Sequence, residues 1–475
     1  MLGASRMRLG LPLALTIVAT APALAQPAPP APPAQPAQPP ADALASFEKE
    51  LDALFTQGGL TSEQAASRAP AASPSVRKAA AQIDIAVAQA ETAELVRVPR
   101  VAANATYTRL SPLDPIVLGM PGMGASIEFP TNSYATQAQV GVALSDYIVR
   151  YPKLIEAARL GLEATRVSKR ADELAAGQDA RLAYYEWVRA KLQVLIATRQ
   201  LTQVQATLGQ VRALAEAQRL SKADLMRVES QEAQAEQVLD QLRFLSELRE
   251  EQLRLLIGAA SGEPLVVGED IRTDVAAPAS VELDALLSTA QQQRLEFRAL
   301  DLGISAKQKQ RESEKANQFP KLSAFAAADY ARPNQRAFLE PDAFKLTWQA
   351  GLQLSWTLND ALVSRATDRR LDAEARELRA DRENLERGTR LAVLAAQQAV
   401  ALAQRALATS QKGLAAAEEG YRVRQALLGA QRATAVELVD AETELTRARI
   451  TALNARVDLR VALAQLAYAL GNNVK

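Results

Sequence analysis

The chain contains neither cysteine nor histidine. The first absence excludes disulfides and an acylated amino-terminal cysteine. Together they remove Cys–His nucleophiles, the Ser–His–Asp triad and the usual zinc ligand sets. No Gly-rich phosphate-binding loop occurs either. Aromatic residues are only 4% of the chain, so any place where they gather is informative. Neither sign of charge is in excess: 55 Lys and Arg stand against 54 Asp and Glu, giving no electrostatic reason to bind nucleic acid. No window beyond the amino terminus is uniformly apolar over the ~20 residues of a spanning helix. The abundant carboxylates read as solvated helix faces, so the chain is expected to be no enzyme and to need no cofactor or metal.

What is present begins with a secretory signal peptide, expected over residues 1–25. Arg6 and Arg8 precede a short apolar run from Leu9 to Thr20, and Ala23-Leu24-Ala25 is a small-x-small cleavage site. Residues 26–44 form a Pro/Ala-rich leader. The rest repeats itself. Ser73–Ala79 corresponds to Arg294–Leu300, and Pro99 to Pro320, at an offset of 221. Gln139–Ser145 corresponds to Gln349–Ser355 at 210. Ser221, Asp224, Leu225, Glu229 and Gly258 correspond to Thr434, Glu437, Leu438, Glu442 and Gly471 at 213. Registers that change only between segments indicate a duplicated unit with loop-length differences. The expected units are 45–261 and 281–475, joined by a Gly/Pro/Asp-bearing connection at 262–280.

Each unit reads helix, strand, loop, strand, very long helix, turn, helix. Thr61 and Gln64 form a capping signal, and an Ala-rich helix follows from about Pro74 to Ala93. The period then changes to two. Val101, Ala103, Ala105 and Tyr107 alternate with Ala102, Asn104, Thr106 and Thr108; Ala138, Val140, Val142 and Leu144 alternate with Gln137, Gln139, Gly141 and Ser145. In the second unit, Leu322–Tyr330 pairs with the sharper run Leu346, Trp348, Ala350, Leu352, Leu354, Trp356. The scarce aromatics gather here: Tyr107, Phe129, Tyr134, Tyr147, Tyr151, Phe325, Tyr330, Phe344, Trp348 and Trp356. Strands of this length with such clustering are expected to line a transmembrane barrel with aromatic girdles.

Tyr151–Ala217 has no proline beyond Pro152 and is dominated by good helix formers. Some 65 residues at 1.5 Å rise give a rod of roughly 100 Å. Leu201, Val204, Leu208, Val211 and Ala215 follow a coiled-coil seam. An equivalent stretch runs from about Ala361 to Leu427, and Leu438 to Ala469 carries the cleanest heptads. Four strands cannot close a membrane barrel, and an open edge in lipid leaves backbone groups unpaired at several kcal/mol each. Copies must therefore combine: two would give eight strands, three would give twelve.

At this point the chain resembles the TolC-like outer-membrane efflux protein family, from about residue 45 to 473. The resemblance is carried by the paired Ser/Thr-x-x-Asp/Glu-Leu turns, each with glycine 37 residues after its first position. It is supported by Arg294–Leu300 ahead of Pro320 and by the strand of Trp348–Leu358. It implies a mainly α protein with a membrane β-barrel part, four strands per protomer. A homotrimer would form a 12-stranded barrel in outer-membrane lipid and an α-helical periplasmic tunnel. The implied function is the exit duct of a tripartite efflux or type I secretion system in a Gram-negative outer membrane. Its partners would be a periplasmic adaptor and an inner-membrane transporter. The alternative is a soluble periplasmic coiled-coil adaptor or structural protein.

Ser221 and Thr434 are expected to cap helices that restart after each rod, with Asp224 and Glu437 three residues on. The family's matching positions in the second repeat carry acids that ring the periplasmic entrance, which implies a constriction at Glu437 and Asp440. Three protomers would converge six carboxylates, repelling by roughly 3 kcal/mol per close pair at ~6 Å and an effective dielectric near 20. Arg422, Arg424 and Arg432 are candidate ion-pair partners for that gate. The turns containing Ser221, Asp224, Gly429 and Thr434 are the expected adaptor-docking surface. The sequence departs from the family pattern here. The first turn, Ala217–Ser221, lacks glycine; Gly429 falls two residues early and Tyr421 about six; and Asn359-Asp360 replaces the strand-end glycine expected after Leu358.

Overall fold

The computed structural model describes residues 49–118, 125–127, 129–218, 220–260, 262–273, 275, 282–337, 342–430 and 432–471. The expected signal peptide and leader lie outside them. A helical stretch at 49–54 (α1) leads into strand β1 (Phe55–Leu60) and helices α2 (Ser62–Ala72) and α3 (Pro74–Leu95). Strand β2 (Arg100–Arg109), the small hairpin β3 (Ile116–Leu118) and β4 (Ala125–Ile127), and β5 (Asn132–Ala143) follow. A short helix α4 (Leu144–Ile148) turns the chain into the rod α5 (Arg150–Glu216), which folds back as α6 (Lys222–Ile257). The second half repeats this order with α7 (Leu283–Gln293), α8 (Leu295–Lys315), β6 (Lys321–Arg332), β7 (Lys345–Ser355), the rod α9 (Leu358–Gly429) and α10 (Ala435–Ala469).

The duplication extends to backbone detail. Ser73 and Arg294, both extended, precede α3 and α8 with nearly identical angles (φ −67°, ψ 124° and φ −68°, ψ 124°). Gly258 and Gly471 end α6 and α10 in the left-handed region, at φ 67° and 74°. A Cβ at Gly258 would meet that of Ala72 at 2.7 Å, and one at Gly471 would meet Arg294 N at 2.8 Å. Only glycine both adopts that conformation and admits the short helix behind it.

Four strands form one antiparallel sheet in the order β2-β5-β6-β7, with β2 and β7 on its open edges. Below it the two rods, of about 100 Å each at 1.5 Å per residue, run through two successive helical layers. Near the sheet the neighbours are α3–α5–α8–α9; towards the tip they are α6–α5–α10–α9. The upper layer is laced by ion pairs, including Arg159–Glu94, Arg298–Glu163 and Arg311 with both Asp368 and Asp372. The lower layer holds the apolar clusters: Trp187, Tyr184, Leu192 and Val188 are fully buried with Leu253 and Val457, and Val393, Val400 and Leu466 form a second cluster.

Two features differ from the sequence expectation. The second strand stops at Ala143, and Leu144 and Ser145 begin α4 instead of ending the strand. Strand β1 has no counterpart in the sequence reading. It exists because the connection between the halves returns to it, with Leu60 N donating to Val266 O at 2.8 Å and Gly268 N to Leu60 O at 2.9 Å.

Candidate functional site

The register of the sheet divides its side chains into two chemically distinct faces. Val101↔Val140↔Ala326↔Ala350 and Ala103↔Ala138↔Ala328↔Trp348 run across one face. Leu346, Trp348, Leu352, Leu354 and Trp356 on this face are 60–73% exposed. Asn104↔Gln137↔Asp329↔Thr347 and Ala102↔Gln139↔Ala327↔Gln349 run across the other. Water does not tolerate the first surface in a lone sheet; lipid does.

The aromatics mark both ends of the apolar face. Away from the rods, Tyr107, Tyr134, Phe344 and Tyr330 form a row with centroids 5.1, 6.2 and 5.2 Å apart in sequence along it. At the rod end Tyr147 packs on Tyr151 at 5.8 Å, and Trp356 Nε1 donates to Gln318 O at 3.3 Å. From Leu346, level with Tyr330, to Trp356 is ten residues, about 33 Å at ~3.3 Å per residue. Phe325 is a correction to the girdle. It belongs to the polar face, level with Gly141 and Gly351, and its ring approaches the Cβ position of Gly351 to 3.2 Å. The missing side chain of Gly351 makes the space for it.

At the opposite end of the molecule, Ser221 Oγ accepts from Asp224 N at 3.2 Å and donates to Asp224 Oδ2 at 2.7 Å. Thr434 and Glu437 make a complete capping box, the Glu437 carboxylate accepting from Thr434 N at 3.2 Å. Where the first turn lacks glycine, Gln218 takes φ 56°, a conformation that disfavours a side chain. Gly429 is the last residue of α9.

The five candidate gate charges do not meet as a cluster within the protomer. Asp440 is paired with Arg227 of α6 at 3.5 Å, across the boundary between the two hairpins. Arg422 is held by Glu419 three residues away on its own helix. Among the described residues no ion pair joins Arg424 or Arg432 to Glu437 or Asp440; Arg432 N donates to Leu427 O at 2.8 Å in the turn. Within the protomer, the cation paired with Asp440 is thus Arg227.

Above this tip lies a residue matched between the repeats but not singled out for function. Glu442 of α10 is only 3% exposed. Its Oε1 accepts from Thr207 Oγ1 of α5 at 3.2 Å, and its Oε2 has no partner among the described residues. Burial drives its carboxyl up to about 7 against the smaller opposing effect of the Thr207 bond. The same burial, with the Glu442 charge added, lifts the Tyr421 phenol to about 12. A signal was available in the sequence: at the offset of 213, Arg212 is replaced by Gln425 while Glu229 is retained as Glu442.

With this geometry in hand, residues 286–472 match the family described as outer membrane efflux protein. The whole fold is similar to solved structures of low sequence identity. CusC, whose structures concern folding and transmembrane channel formation, superposes with a TM-score of 0.71 at 18% identity, covering 88% of this chain and 94% of that one. The open MtrE outer membrane channel of Neisseria gonorrhoeae gives 0.70 at 19%, covering 87% and 89%. The outer membrane protein VceC of Vibrio cholerae gives 0.68 at 16%, covering 92% and 100%. No curated protein matches the chain in sequence.

Proposed function

We propose, from a chain whose residues 286–472 belong to the outer membrane efflux protein family, that the protein is an outer-membrane efflux duct. It conducts passively from periplasm to exterior and is opened at its helical tip by an adaptor and an inner-membrane transporter. The observation that carries this reading is the sheet: four strands with two open edges, apolar on one face and polar on the other, standing on two ~100 Å rods. Closure needs copies. Eight strands would leave an interior that side chains fill, whereas twelve leave a lumen, so three copies are favoured. In that ring Leu352 and Trp348 face lipid and Gln349 and Gln353 face water.

Export by the signal peptide at 1–25, units 45–261 and 281–475 joined at 262–280, and a periplasmic tip facing the adaptor belong to the same proposal. A soluble periplasmic adaptor is disfavoured by the exposed Leu346–Trp356 face, which such a protein would have to bury. In the ring, Glu437 and Asp440 of three tips form the acidic constriction. The test is purification in detergent, cross-linking and planar-bilayer recording. A cross-linked trimer with cation-selective steps is expected; recovery as a soluble periplasmic monomer would sink the reading. Glu437→Ala with Asp440→Ala should weaken cation selectivity, and unchanged selectivity would remove the acidic ring alone.

A further inference from the structure

Glu442 and Glu229 are the same residue of the duplicated unit placed in opposite environments. Glu229 on α6 is part-exposed and is paired with Arg212 of α5 at 3.3 Å. Glu442 on α10 is buried, and Gln425 of α9 stands where Arg212 stands in the first repeat. The exchange removes a cation and leaves two buried oxygens, Glu442 Oε2 and Gln425 Oε1, without a donor among the described residues. Gln425 offers a neutral amide where Arg212 offers a cation, so no counter-charge from that position favours the ionised form of Glu442.

Among the described residues burial and one neutral hydrogen bond set the titration of that carboxylate. Thr207 of α5 offers a neutral hydroxyl. The α6 residues opposite are committed elsewhere, Arg227 to Asp440 and Glu229 to Arg212. Arg199 of α5 is bridged to Glu50 at 3.0 Å, and its charge and that of Arg449 on α10 act on the Tyr421 phenol of α9. One turn before it on α10, Val439 joins Leu208, Val211 and Val228 in a buried apolar cluster. Glu442 thus sits where the first-repeat hairpin meets the second, directly above the tip.

We propose that Glu442 is a proton-operated latch: protonated, it holds α10 against α5 and α9, and its ionisation releases the tip towards opening. This rests on the channel reading and adds a regulatory input to it. The sign follows from burial. A packed carboxyl titrating at about 7 binds its proton more tightly than a solvated one near ~4.3. The packed arrangement is therefore favoured fully below the solvated value and loses that advantage as pH rises through about 7.

The test is a pair of readouts on the purified full-length protein at about pH 6 and about pH 8. In planar bilayers the wild type is expected to gain open probability severalfold at the higher pH. Glu442→Gln, isosteric with the neutral acid, should remain at the acid level at both. Gln425→Arg, which recreates the Arg212 arrangement, should also lose the pH dependence. In thermal melts the wild-type Tm should fall between the same two pH values, and that of Glu442→Gln should not. A Glu442→Gln protein that follows wild type in both readouts overturns the latch, as does a wild type flat in both. A Tm shift that vanishes in Glu442→Gln, without conductance steps at any pH, keeps the latch and overturns the channel reading instead.

Discussion

At the residue scale, single polar atoms decide where helices start and how they are held apart. Thr434 satisfies the first turn of α10 through its hydroxyl and through Glu437, so Thr434→Ala is expected to cost about 1 kcal/mol locally. Faster amide exchange over residues 435–438, with the sheet unaffected, is the readout. Arg311 of α8 grips two acids of α9, Asp368 at 2.6 Å and Asp372 at 2.5 Å. Its hydrogen bond holds the Asp368 carboxyl below the usual range, against a smaller effect of burial. The folded-state value is depressed, so the stabilisation is present above the ordinary carboxylate range near ~4 and is lost as pH falls through the depressed value. Arg311→Gln should therefore remove roughly 1–2 kcal/mol at neutral pH, a bidentate but part-exposed pair being worth about that. It should also flatten the acid limb of the melting curve below about pH 4. An unchanged acid limb would assign that limb to other carboxylates.

At the element scale, the sheet makes the sharpest contrast because neighbouring residues answer to different solvents. Leu352, 69% exposed on the apolar face, lies mid-strand between the aromatic bands; Gln353 is next to it on the polar face. Leu352→Arg is expected to cost about 2–4 kcal/mol at the bilayer midplane, and Gln353→Arg should fold normally and change only conductance. Folding yield into lipid vesicles separates the two, and equal yields would remove the face assignment. This alternation was legible from the sequence because a period of two needs no partner to be seen. The rods were legible for a similar reason, through the lack of proline after Pro152. What was not legible depends on contacts between distant segments. Phe55–Leu60, with Gly58-Gly59 inside it, reads as a loop until Val267 arrives beside it. Phe325 reads as girdle until the register sets it level with Gly351. The caps at Ser221 and Thr434 are local and visible, whereas the Arg227–Asp440 pair joins residues 213 apart. The burial of Glu442 is set by α5 and α9 together, and only the Arg212-to-Gln425 exchange hinted at it.

At the scale of the whole molecule, the lower helical layer ends as the sheet does, on two unpartnered edges. On α6 the buried residues are Val228, Ala235, Leu239, Ser246, Leu253 and Ile257. At 100° per residue, Phe244, Leu248 and Leu255 fall on the opposite side, and all three are exposed. On α9, Val393, Ala396, Val400 and Ala403 are buried, and Leu391 and Leu402 point away, each 69% exposed. The same helix holds an 18-residue window of mean hydropathy 1.3 that is only 22% buried. By composition alone that window could cross a membrane, yet it runs within a 72-residue rod whose other face is core. The proposed ring would resolve both edges at once, the α6 edge of one copy meeting the α9 edge of the next, as β2 would meet β7 above. Heterologous contacts of this kind close only at the right copy number. Phe244→Glu puts a charge into every such contact while touching nothing within the protomer's own core. Burying a large apolar side chain is worth about 1.5–3 kcal/mol, and the substitution also buries an unpaired carboxylate. The cross-linked ring should therefore be lost while circular dichroism retains the helical content of the protomer. A variant that still cross-links as wild type would place α6 on the outside of the duct and leave closure to the sheet and α9.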